Sequence, residues 1–123
     1  MKITIFTSGS TGNPKAVTHN ETDFYKPAQF LCNNWNLDKN DIIINPFPNW
    51  TIAYWAFCFF PSQLSGCELV NIKMQPFRFW DIIKEIKPTT MTLAIGTLRT
   101  LMRRKTPDLS FVKNFATGSA PVT

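Results

Sequence analysis

Short apolar runs alternate with stretches of helical periodicity along this chain, and that alternation predicts an α/β fold built on a mainly parallel sheet. Asp41–Asn45 (D-I-I-I-N), Cys67–Ile72 (C-E-L-V-N-I) and Thr89–Ile95 (T-T-M-T-L-A-I) are runs of five to seven residues, rich in β-branched and aliphatic side chains. Between them Phe79, Ile82, Ile83 and Ile86 fall on one side of a helix, as do Leu98, Leu101 and Met102 further on.

Taken in order, Ile3, Ile5 and Phe6 form a strand-like run ahead of a polar loop. Phe24, Ala28, Leu31, Cys32 and Trp35 then recur at helical spacing, with Thr22 or Asp23 as cap and Pro27 early enough to be tolerated; this helix should end near Asn36. Asp41–Asn45 reads as a buried strand that Pro46-Phe47-Pro48-Asn49 breaks into a loop. An aromatic helix runs from about Thr51 to Gly66, the next strand is Cys67–Ile72, and Pro76 opens a helix that Pro88 stops. Thr89–Ile95, another helix and a last strand over Phe111–Thr117 complete five strands and four helices. No repeat, linker or low-complexity segment interrupts them, so a single continuous layer is expected rather than two domains.

At 123 residues, 44% hydrophobic and 17% charged, with eleven Phe and four Trp, the chain has the makings of an ordinary globular interior and not of a disordered segment. The net charge of +5 suits an anionic ligand. Only Arg103, Arg104 and Lys105, following Arg99, form a cluster, and a solvated helix face accounts for it better than nucleic-acid binding. Cys32, Cys58 and Cys67 are odd in number, lie among apolar residues and lack metal-site spacing, which predicts buried free thiols in a reducing compartment and no metal site. Met1–Phe6 is too short for a secretory signal, and the apolar run Ile52–Phe60 stops at Pro61, short of the roughly 20 residues a membrane span needs. A cytoplasmic protein is the expectation.

Thr7 to Lys15 read T-S-G-S-T-G-N-P-K, a loop rich in glycine and hydroxyl groups closed by proline and lysine. Glycines at 9 and 12 allow a backbone to approach a polyphosphate closely. Thr7, Ser8, Ser10 and Thr11 supply hydroxyl donors, and Lys15 a point charge for phosphoryl oxygens. The ordinary P-loop spacing is absent, because Pro14 stands where its second glycine belongs and no Ser or Thr follows Lys15.

This nine-residue run resembles the signature phosphate loop of the adenylate-forming superfamily: acyl-CoA synthetases, aryl-CoA ligases, luciferases and the adenylation domains of peptide synthetases. Lys15-Ala16-Val17-Thr18-His19 is similar to the K-G-V-x-H of acetyl- and medium-chain acyl-CoA synthetases, with Ala16 for the usual glycine. Lys87-Pro88-Thr89-Thr90 resembles the family's segment entering a strand behind the acyl site, with Gly96 where many relatives have proline. Gly118-Ser119-Ala120-Pro121 matches the G-(G/S/A)-A-P loop that lies beside adenine in that family. The resemblance covers essentially the whole chain. Members of the superfamily are several times longer, so residues 1–123 look like a partial adenylation domain, a slice of the large amino-terminal domain without the small carboxy-terminal one.

The chemistry the resemblance implies is ATP-dependent activation of a carboxylic acid to an acyl-adenylate, followed by transfer to a thiol such as coenzyme A. Ser8, Gly9, Ser10, Thr11, Gly12, Lys15 and Thr7 would hold ATP phosphates bridged by Mg²⁺, and Gly118, Ser119, Ala120 and Pro121 would wall the adenine site. Trp50, beside the Pro46–Asn49 loop, is the candidate for the acyl pocket, whereas Trp55, Phe57 and Phe59 read as helix core. For His19, the sole histidine, a structural or surface role outweighs general-base catalysis, and Asp81, Glu85 and Asp108 read as exposed charges. The chain ends before the family's Y-G-x-T-E stretch, its ribose-binding aspartate and its carboxy-terminal lysine, so a complete active site would need the remainder, in the same polypeptide or on a separate chain. The competing reading is a catalytically inactive nucleotide-binding remnant or interaction module.

Overall fold

The computed structural model describes residues 1–8 and 13–118. It has a parallel sheet with alternating helices, as the sequence pattern predicts, and a hairpin that the pattern did not reveal. β1 (Lys2–Ser8) pairs antiparallel with β2 (Pro14–Asn20), in register from Lys2 opposite Asn20 to Ser8 opposite Pro14. Ile3 and Ile5 of β1 are buried, so this strand shows the expected alternation. β2 has no buried face, since all its residues are exposed except the half-buried His19, and the ladder to β1 holds it in place. The hairpin is a sheet of its own, so the single layer expected from the sequence becomes two sheets.

A 3₁₀ turn (Glu21–Phe24) leads from the hairpin into α1 (Tyr25–Asn34). The Asn20 N–H donates to the Asp23 carboxylate at 3.0 Å, so the cap falls on Asn20 and not on Thr22 or Asp23. Pro27 occupies the third position of α1, where its missing N–H has no acceptor to lose.

β3 (Ile42–Asn45), β4 (Glu68–Asn71), β5 (Thr90–Ala94) and β6 (Asn114–Gly118) form the parallel sheet in the order β4-β3-β5-β6. Ile43 and Ile44 point to opposite faces, and both faces are covered. On one side Ile44, Met91 and Leu93 pack with Phe79, Trp80, Ile83 and Leu101 of α3 (Phe79–Ile86) and α4 (Ile95–Leu101). On the other, Ile43 meets Cys58 and Cys67, while Ile3 and Ile5 of the hairpin join Phe24, Ala28 and Phe60. Three further details differ from the sequence pattern: Pro76 lies in the turn before α3; Met102, beyond the end of α4, is exposed; and the last strand starts at Asn114, with Phe111 in the turn ahead of it.

The aromatic helix is wound unevenly. Tyr54–Phe59 is π-helical, with the Phe60 N–H donating to the Trp55 carbonyl, and α2 (Phe60–Ser65) follows with ordinary winding. Pro61 has no N–H to offer the Phe57 carbonyl and its ring would crowd that oxygen, so the wider turn falls where a tight one would be strained. Gly66 ends α2 with φ +77°, a left-handed residue at the junction to β4.

Candidate functional site

Parallel strands bring all their carboxyl ends to one edge, and Asn45, Asn71, Ala94 and Gly118 close β3, β4, β5 and β6 there. Gly118, the first residue of the G-S-A-P motif, stands opposite Ala94 in the ladder at this edge. Thr7 and Lys15 face each other at the loop end of the hairpin, and the Thr7 hydroxyl lies 3.5 Å from the Lys15 carbonyl that it addresses. Ser8 closes the ladder opposite Pro14. Gly9, Ser10, Thr11 and Gly12 of the phosphate loop, and Ser119, Ala120 and Pro121 of the second motif, lie outside the described residues.

The segment leaving β3 joins the hairpin to the sheet edge. The Phe6 N–H donates to the Trp50 carbonyl at 3.0 Å, and Phe6, Thr7, Pro14 and Trp50 line an open, mostly apolar cavity of about 680 Å³. Trp50 is 51% exposed, so its ring is available to a ligand. Trp55 turns the other way: its indole N–H donates to the Asn49 carbonyl at 2.8 Å, and its ring meets Phe59 edge-on at 5.0 Å. Trp55 and Phe59 pack against the hairpin's core cluster and Phe57 against the Ile43 cluster, a core role for all three. Tyr54 instead lines a second, smaller cavity of about 250 Å³ with Asn45, Phe47, Asn49, Asn71 and Ile72.

The charged groups with the most partners lie at the opposite edge of the sheet. Asp41, buried just before β3, accepts from the Thr89 hydroxyl at 2.8 Å and from the Asp38 N–H at 2.8 Å, and pairs with Lys113 Nζ at 3.0 Å. Burial pushes its carboxyl pKa up, but these three donors outweigh burial and hold it below the usual carboxylate range. Lys113 also donates to the Asn36 carbonyl at 2.9 Å, which ties the end of the α1 region to the start of β6. The network is structural, distant in the topology from the carboxyl edge. His19 rests edge-on against Phe24 at 5.6 Å with Asp23 Oδ2 3.8 Å from Nδ1, on the hairpin and away from the Trp50 cavity lining.

Cys32, Cys58 and Cys67 are free and buried, and burial raises the Cys58 thiol to about 12, so none has the exposed thiolate character of a nucleophile. Among the described residues no three His, Cys, Asp or Glu side chains gather to hold a metal ion, and no helix is long and apolar enough to cross a membrane. Arg99, Arg103, Arg104 and Lys105 are exposed. Asp81, Glu85 and Asp108 are exposed as well.

Sequence pattern pointed to Thr7, Lys15, Trp50 and Gly118, but not to Phe6 and Pro14 as cavity walls or to the Asn45, Asn71 and Tyr54 grouping. Its signal was a repetition: two apolar strand runs, I-I-I-N and E-L-V-N, each end in asparagine.

The family model described as AMP-binding enzyme matches residues 2–123. Acetyl-coenzyme A synthetase 1 of Candida albicans is 28% identical over 130 residues, covering 96% of this chain and 19% of that protein. Acetyl-coenzyme A synthetase 1 of Saccharomyces cerevisiae is 31% identical over 106 residues, or 80% of this chain and 15% of that protein. Among solved structures, o-succinylbenzoate CoA synthetase from Bacillus subtilis, in complex with the acyl-adenylate intermediate OSB-AMP, superposes with a TM-score of 0.80 at 20% identity over 97% of this chain and 31% of that one. The fold is therefore shared, and the chain spans about a fifth of the length of the first of these curated relatives.

Proposed function

Since the chain belongs to the AMP-binding enzyme family, we propose that it forms the phosphate-loop part of an ATP-dependent ligase that activates a carboxylic acid and passes the acyl group to a thiol such as coenzyme A. One observation supports this reading: the segment leaving β3 at the carboxyl edge of the parallel sheet meets the loop end of the β1–β2 hairpin through Trp50, and β6 ends at Gly118 on the same edge, where open α/β folds bind their ligands. A nucleotide laid along this edge would meet Thr7, Ser8, Gly9, Ser10, Thr11, Gly12 and Lys15 at its phosphates and Gly118, Ser119, Ala120 and Pro121 at its adenine. The apolar cavity at Trp50 would receive the acid beside it.

In the first step a carboxylate oxygen attacks the α-phosphorus and pyrophosphate departs with the bonding electron pair. Charge grows on the leaving oxygens, where the loop hydroxyls, the backbone N–H groups at Gly9 and Gly12 and the Lys15 ammonium would stabilise it. In the second step the thiol sulfur attacks the acyl carbon and AMP leaves. A Mg²⁺ ion on the ATP phosphates would neutralise part of that charge beside the loop. Three buried free thiols suit a reducing, cytoplasmic setting.

The test is acid-dependent ATP–pyrophosphate exchange by the native polypeptide that contains this chain, with a panel of carboxylic acids. Exchange is expected, and Lys15→Ala should lower kcat/KM about 100-fold by removing a charge that addresses the leaving group. ATP binding with no exchange for any acid would overturn the ligase reading in favour of an inactive nucleotide-binding protein.

A further inference from the structure

The cavity of about 250 Å³ at the carboxyl ends of β3 and β4 is lined by side chains whose hydrogen-bonding sense is fixed from within the protein. Phe47 N–H donates to the Asn45 side chain at 3.0 Å; an N–H can only donate, so the Asn45 atom it meets is the carbonyl oxygen. The other end of that amide is then the NH₂, and it reaches the Phe47 carbonyl at 3.1 Å and the Asn71 side chain at 2.9 Å. The Asn71 atom receiving this bond must be its oxygen. The amide nitrogen of Asn71 is left as the donor that this side chain has to offer, and Tyr54, whose hydroxyl is a second donor, lines the same cavity. Asn45, only 3% exposed, uses both its N–H bonds inside the protein and acts as the positioning residue for Asn71.

Among the described residues no acidic or basic side chain lines this cavity. Phe47 and Asn49 on its wall belong to the same segment whose Trp50 lines the larger apolar cavity. We propose that this amide-lined cavity is a subsite for an uncharged acceptor oxygen, a ketone, ester or amide carbonyl, on a molecule whose apolar part lies along Trp50. The inference rests on the ligase reading above and adds a substrate class to it: oxygen-bearing acids are preferred to plain alkyl acids of the same length. The same carbonyl chemistry exists in the amide-linked arm of coenzyme A, and the two sources separate by step, because exchange does not use the thiol.

The experiment compares hexanoate with 4-oxohexanoate and 5-oxohexanoate in ATP–pyrophosphate exchange by the native polypeptide, with Asn71→Asp and Tyr54→Phe. Asn71→Asp keeps an oxygen for the Asn45 NH₂, so the fold is retained; it turns the donor at the cavity into an acceptor and adds a negative charge, whose general effect on anionic substrates is shared by both acids and cancels in the oxo-to-alkyl ratio. The expected result is an oxo-to-alkyl preference in kcat/KM of about 10-fold or more that falls to about 1 in Asn71→Asp, since a site made to bond an oxygen discriminates against its absence. A KM for coenzyme A raised by the charge-neutral Tyr54→Phe as well as by Asn71→Asp, with the oxo-to-alkyl ratio in exchange unmoved, assigns the oxygen to the thiol's arm and supports the subsite; a rise in Asn71→Asp alone is charge repulsion and overturns it. Exchange that proceeds with no oxo preference and no response of either parameter to Asn71→Asp or Tyr54→Phe overturns the subsite and leaves the ligase reading standing. Absence of exchange for every acid overturns the ligase reading instead.

Discussion

Protonation of Asp41 would remove the charge that Lys113, the Thr89 hydroxyl and the Asp38 N–H all address in a buried position. Its folded pKa lies below the unfolded value of about 3.9, so in the interval between the two the unfolded chain binds more protons than the native one. The stabilisation is therefore complete above about pH 4 and is lost as pH falls through the lower, folded value. Asp41→Asn is expected to cost about 2 kcal/mol at pH 7 and to flatten the acid limb of the stability curve, measured by urea unfolding between pH 2 and 7. Residues of this kind were hidden in the sequence. Asp41 reads there as the polar border of a strand, and nothing local announces Lys113, which reaches it from the start of β6. Thr7 and Lys15, by contrast, stand in one local motif, and the ladder sets them opposite each other.

Elements with their own apolar pattern were legible, and those held by neighbours were not. β3, β4 and β5 lie inside the runs that hydrophobicity marked, because a parallel strand covered on both faces must be apolar throughout. β2 carries no such mark, since its order comes from pairing with β1 and not from burial. The π turn at Tyr54–Phe59 is likewise silent in a periodicity reading, although Pro61 at its end is the visible cause of strain. Gly66 was legible because a helix end ahead of a strand demands a residue at ease with positive φ. An alanine Cβ there would meet nothing within 4 Å, so Gly66→Ala isolates the backbone term, and thermal unfolding should show a loss of about 1 kcal/mol.

Over the whole molecule, large apolar side chains remain outside the three core clusters: Phe77 is 78% exposed, Phe30 67% and Ile52 49%. β6 is an edge strand whose Phe115 is also exposed. Purified as 123 residues, the chain is expected to self-associate, with a weight-average mass in sedimentation that rises with concentration and falls for Phe30→Ser combined with Phe77→Ser. A strictly monomeric profile at all concentrations would contradict this. The strand order β4-β3-β5-β6 also sets a timetable for synthesis. β3 emerges from the ribosome before either of its neighbours; β4 can cover one of its edges soon after residue 71, but the other waits for Thr90. For that interval Ile42–Ile44 is an apolar strand with one open side on a nascent chain, and it is the segment that a holding chaperone would have most reason to meet.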